Sequence, residues 1–169
     1  FLAISLYSQI IKKDNRCVGY GKFILGETLT NYNVQYIDGG SYSKNNEEFK
    51  IYSYPPSSNE TIEILNIKFD KIILTFNDSN KLVSLHFIRF YQKKDTKKYV
   101  KESKIGYDKL VAYASKQLNK KGETKIYYEK SNIQDYGQEW NETTTSLQIK
   151  NSISYNHSAI EFHCTYSGH

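Results

Sequence analysis

Glu161, His163 and Thr165 alternate along an apolar segment near the C-terminus. In an extended strand that spacing puts all three on one face. A carboxylate beside an imidazole is the beginning of an acid–base pair or of a metal site. Two ligands do not complete a metal site, and the same pattern equally suits the solvent face of a final strand. His157 lies in or beside a turn. Ser84 and His86 repeat the spacing upstream, but residues two apart on a strand are about 7 Å apart between Cα atoms. No nucleophile elbow accompanies them, so no Ser–His nucleophile is expected there. Asp70, Asp78, Asp95 and Asp135 fall in turn-like segments, where Asp is favoured for turn chemistry. Gly19-Tyr20-Gly21-Lys22 has neither the dinucleotide nor the P-loop spacing. No catalytic set, metal or cofactor is expected.

The features that suggest binding are cationic and aromatic. Lys93, Lys94, Lys97, Lys98, Lys101 and Lys104 are crowded into a short span with Tyr91 and Tyr99. Basic residues interleaved with aromatics grip phosphate backbones or acidic glycans. The same run also reads as a solvated connector. Tyr52, Tyr54, Tyr127, Tyr128, Tyr155 and Tyr166 sit in strand-like segments and could line a recognition groove. Trp140, the one Trp, serves as an exposed anchor or a core plug. The candidate binding residues are Lys93, Lys94, Lys97, Lys98, Tyr99, Lys101, Tyr127 and Trp140.

Two cysteines stand near opposite ends, Cys17 and Cys164. Cys164 alternates with Ile160, Phe162 and Tyr166 and should face the core. In an oxidising compartment the pair permits one intramolecular bond; two separate buried thiols are the alternative. The cysteines lack the paired spacing of a zinc site.

The opening run Phe1-Leu2-Ala3-Ile4-Ser5-Leu6-Tyr7-Ser8-Gln9 is apolar, then small and polar, and a charged chain follows at Lys12-Lys13-Asp14. It is too short to span a bilayer. Its Leu-Tyr-Ser-Gln ending resembles the signal-peptide ends of secreted Bacteroidetes (flavobacterial) proteins. The resemblance covers residues 1–9 alone and implies a secreted or periplasmic protein. A first strand is the other reading of the same run.

The 169 residues are 38% hydrophobic and 15% aromatic, with two Pro, which suits one folded domain rather than a disordered chain. Net charge is +5, ordinary for a small soluble domain. A basic protein outside the cytoplasm has an anionic glycan or envelope protein as its expected partner, not nucleic acid. No internal stretch has the roughly 18 apolar residues of a membrane span.

These residues must be positioned by strands and one helix. Strands are expected at 49–54, 61–69, 72–76, 81–91, 124–129, 146–150 and 158–166. Asp38-Gly39-Gly40 reads as a turn, 41–48 as polar loop, 92–104 as a Lys-rich connector, 131–140 as loop and 151–156 as a hairpin connection. Tyr107, Leu110, Val111, Ala114 and Leu118 recur at helical spacing, and Lys120, Lys121 and Gly122 mark a stop, so a helix is expected at about 105–121. Strands, one helix, then strands again gives an α+β fold. A mostly antiparallel sheet would carry the helix on one face. The domain is expected to run from 10 to 169. Its order resembles the small helix-then-sheet modules of secreted inhibitors and envelope assembly lipoproteins. The expected function is non-enzymatic binding of a protein or glycan, with an inhibitor-like mode among the options. The alternatives are a small secreted hydrolase, using loop carboxylates or His163, and a small-molecule carrier with a cavity between sheet and helix.

Overall fold

The computed structural model describes residues 9–54, 62–92, 96–130, 133–154 and 157–166. The signal-like residues 1–8, together with Lys93, Lys94 and Tyr155, lie outside them. Thirteen strands and one α-helix follow in the order β1 (Ile10–Lys13), β2 (Arg16–Tyr20), β3 (Phe23–Ile24), β4 (Gln35–Lys44), β5 (Glu47–Ser53), β6 (Glu63–Ile64), β7 (Ile67–Lys68), β8 (Lys71–Asn77), β9 (Leu82–Gln92), α1 (Thr96–Leu118), β10 (Glu123–Lys130), β11 (Ile133–Asn141), β12 (Thr145–Ile153) and β13 (His157–Tyr166). The expected α+β class holds. Eight strands form an antiparallel sheet in the order β10-β11-β12-β13-β9-β8-β5-β4. It consists of two meanders, β4-β5-β8-β9 and β10-β11-β12-β13, joined along the β9–β13 ladder.

Period-two alternation decides the two faces. Leu74, Leu85, Phe87, Leu147, Ile149, Ile160, Phe162 and Cys164 all point to one side and are buried. Onto that side α1 lays Tyr107, Leu110, Ala114 and Leu118, and these side chains fill the space between helix and sheet. The small sheet β1-β2-β3 covers the rest, with Tyr20 edge-on to Phe87 and Phe162. No helix among the described residues is long and apolar enough to cross a membrane.

The helix begins nine residues earlier than its sequence pattern indicates. The expected connector at 92–104 is largely its first half. Tyr99, Ser103, Gly106, Leu110, Ala114 and Leu118 form the buried stripe, but Ser103 and Gly106 are not apolar, and the lysines between them hide the period. Gly106 is small because the helix rides close to the sheet: a Cβ there would meet Ile160 Cδ1 at 2.6 Å.

Five further segments differ from expectation. Within the expected loop at 131–140, the described residues from Ile133 onward belong to β11, a strand held by ladders on both sides despite its polar residues. Residues 41–48 form most of the β4–β5 hairpin, turning at Asn45-Asn46 with φ of 53° and 65°. Asp38-Gly39-Gly40 falls where the β4–β5 register shifts rather than in the hairpin turn. Where a single strand is expected at 61–69, residues 63–68 form the hairpin β6–β7 around Leu65-Asn66, both at positive φ, as a type I′ turn requires. The connection at 151–156 begins later, because β12 continues to Ile153.

Candidate open-face binding site

The second face of the sheet carries the polar half of each strand's alternation. Registers Ile73↔His86, His86↔His163, Gln148↔His163 and Glu139↔Gln148 run across β8, β9, β13, β12 and β11. Side chains directly opposite on neighbouring strands share a face and touch, so one row crosses the sheet.

Its centre is a four-residue cluster astride the β9–β13 ladder. Ser84 Oγ and His163 Nε2 share a hydrogen bond of 2.6 Å. His86 Nε2 and Glu161 Oε2 lie 2.9 Å apart. The two imidazoles lie with ring centres 4.8 Å apart. Burial, reinforced by the neighbouring His86, lowers the His163 pKa to about 4 from an ordinary 6.5. His163 is therefore a neutral imidazole at pH 7. The hydrogen bond from His86, working against burial, holds the Glu161 carboxyl below its usual range. Chemically, the cluster offers a neutral base on a serine hydroxyl and a carboxylate already held by an imidazole. Among the described residues, no three His, Cys, Asp or Glu side chains are arranged to hold a metal.

The row continues to the sheet edge. Lys150 Nζ lies 3.3 Å from Asp135 Oδ2 and 5.5 Å from the centre of the Tyr127 ring. The Tyr127 hydroxyl donates to Glu139 Oε1 at 2.6 Å. Gln148 Nε2 donates to the Tyr127 oxygen at 2.9 Å and to Glu139 at 3.0 Å. Burial and the adjacent Glu139 push the Tyr127 phenol pKa up. Tyr127 is an extra residue in β10, where the ladder to β11 slips between Ile126 and Tyr128. The bulge turns its ring onto the open face above Gly137, whose position leaves 3.2 Å between a would-be Cβ and the ring.

No protein-family model, curated protein or solved structure matches this chain.

Of the residues singled out by sequence, Tyr127 stands on this face. Lys98 and Lys101 are exposed on α1, which covers the opposite face of the sheet. Position 97 lies in the helix, with its side chain outside the described set. Tyr99 is 4% exposed and its hydroxyl donates to Ser154 O. Trp140 is the core plug of its two readings: it is 2% exposed, and its indole N–H donates to Lys120 O at 2.8 Å. The expected lysine–aromatic surface is thus divided between two faces and the core. The spacing of Ser84 and His86 along one strand argues against a pair between them, and the contact of Ser84 is indeed with His163 on the neighbouring strand. The alternation of Glu161 and His163 was legible; their cross-strand partners depend on register, which no local pattern encodes. Cys17 and Cys164 are both buried, with sulfurs 2.6 Å apart.

Proposed function

We propose that this protein is a non-enzymatic secreted or periplasmic binding module that recognises a protein partner on the open face of its main sheet. The observation that carries the reading is the ordered row from Ser84 to Tyr127. Its side chains are held in two bonded groups, one across β9 and β13 and one across β12, β11 and β10, so they stand preorganised at the surface, and little side-chain entropy remains to be lost on binding. Phe90, Tyr127 and Tyr128 are exposed at its margins, and aromatic residues of this kind are enriched as anchors in protein interfaces.

The test places a photo-crosslinking amino acid at position 90 on the open face and, as a control, at position 109 on the helix. Each variant is irradiated in the native envelope fraction. A discrete protein adduct from position 90, absent from 109 and lost with Lys150→Glu, is expected. Equal adducts from both positions, or none from position 90, would overturn the reading.

A second reading, a small hydrolase, is favoured by the Ser84–His163 contact, since a neutral imidazole can accept a serine proton. Labelling of Ser84 by a fluorophosphonate, abolished by His163→Gln, would support it over the binding module.

A further inference from the structure

The free edge of the sheet at β10 carries an inference that goes beyond partner binding on the open face. This strand is eight residues long and, among the described residues, is the last in the strand order and pairs with β11 alone. Such an edge presents unpaired N–H and C=O groups and is a template for another strand. Ile126 is 68% exposed on it, and Tyr128 is also exposed.

The register fixes which side chains share a face. Glu123, Lys125, Tyr128 and Lys130 stand opposite Glu139, Gly137, Asp135 and Ile133, on the open face. Thr124, Ile126 and Glu129 stand opposite Gln138, Tyr136 and Gln134, on the helix face. The bulged Tyr127 separates the two halves of the strand without breaking this order.

We propose that β10 pairs antiparallel with β10 of a second copy of this chain, about a twofold axis at Ile126. In that register, with the bulged Tyr127 of each copy left unpaired, Glu123 stands opposite Lys130 of the second copy, Lys125 opposite Tyr128, Thr124 opposite Glu129, and Ile126 opposite its own equivalent. Each terminal acid meets a base, and Lys125 meets an aromatic ring. Moving the axis to Lys125 sets that lysine against itself. Moving it to Tyr128 sets Lys125 against Lys130. Like charges directly opposite are destabilising, and intermediate positions would oppose residues whose backbone groups point in different directions. Charge therefore leaves axes at Ile126 and Thr124, and the Thr124 axis pairs residues 123–125 alone, so the Ile126 register is the one selected. The contact is isologous, so it closes as a dimer rather than growing into a filament. It doubles the eight-stranded sheet and sets the two open faces side by side.

Sedimentation velocity on the full chain, from micromolar to millimolar, tests this. An interface of one strand pair is at the small end of specific contacts, so a reversible monomer–dimer equilibrium is expected. Lys130→Glu sets like charges opposite one another twice and is expected to weaken dimerisation roughly tenfold. Adding Glu123→Lys exchanges the charges and is expected to restore most of the loss. Circular dichroism and thermal melting check that each variant keeps the fold. A monomer across the whole range would overturn the proposal. So would a dimer indifferent to Lys130→Glu and to Ile126→Lys, or a loss that the exchanged pair fails to recover.

Discussion

Oxidation of Cys17 and Cys164 is expected to tie the small sheet to the last strand. Cys17 lies on β2 and Cys164 on β13, both buried, 147 positions apart in sequence with sulfurs in contact. Incubation with glutathione disulfide would remove two electrons and two protons from the pair and release two glutathione thiols. Closing so long a loop restricts the unfolded chain by about 5 kcal/mol in the chain-entropy treatment, while common measured gains are about 2–4 kcal/mol. At about 2–4 °C per kcal/mol for a chain of this size, the oxidised protein should melt roughly 5–15 °C above the reduced one. Melting the same sequence with and without reductant isolates the bond from the cavity that a Cys→Ala change would leave. Alkylation after unfolding, read by intact mass, reports the thiols directly. Two alkylated cysteines after prolonged exposure to oxidant would refute the reasoning. So would an oxidised protein whose melting point equals the reduced one.

Acid should destabilise the fold through His163. Its folded pKa of about 4 lies below the ordinary 6.5, so the folded state binds its proton later than the unfolded chain as pH falls. That contribution is present above pH 6.5, is lost between 6.5 and about 4, and amounts to at most roughly 3 kcal/mol. Glu161, with its carboxyl held low by His86, acts in the same direction at lower pH. Urea unfolding across this range should show the decline in the wild type and a flatter profile in His163→Gln. Gly137→Ala should cost about 1–3 kcal/mol, because the new Cβ would sit 2.6 Å from the Ile149 carbonyl oxygen, a backbone atom that cannot step aside. Unchanged melting would show that β11 and β12 can separate at that point. Lys97→Glu should raise stability by about 0.5–1.5 kcal/mol, since it puts an anion in the first turn of α1 and four residues before Lys101. Denaturant unfolding reads the gain, and a loss would show that the cation there has a structural partner.

The fold was legible wherever one period dominated. Ile72, Leu74 and Phe76 alternate with residues of the other face, and Tyr107 to Leu118 repeat every three to four positions, so those elements stand out. It was illegible where tertiary contact overrode composition. β11 has few apolar residues to announce it, and it is a strand because β10 and β12 satisfy its backbone on both sides. The start of α1 was hidden because Ser103 and Gly106 occupy buried positions that a hydrophobic pattern does not count. At the site, Glu161 and His163 could be placed on one face, but Ser84 and His86 join them through a ladder between residues more than 70 positions apart. Tyr127 was singled out as an aromatic; that a bulge turns it onto the open face follows only from its register with β11.

The meeting of the two meanders along β9 and β13 has a consequence for how the chain folds. Within each meander, most strands pair with near neighbours in sequence, and such contacts form early. The seam between them joins residues 75 and 79 positions apart at the His86–Glu161 and Ser84–His163 contacts, so it is expected to zip last. Both polar contacts of the cluster lie across that seam. When acid protonates His163, a charge that burial disfavours is placed where the two halves join. The halves should then come apart as cooperative units before either unravels, and amide exchange should show β9 and β13 losing protection ahead of β8 and β12 as the pH falls.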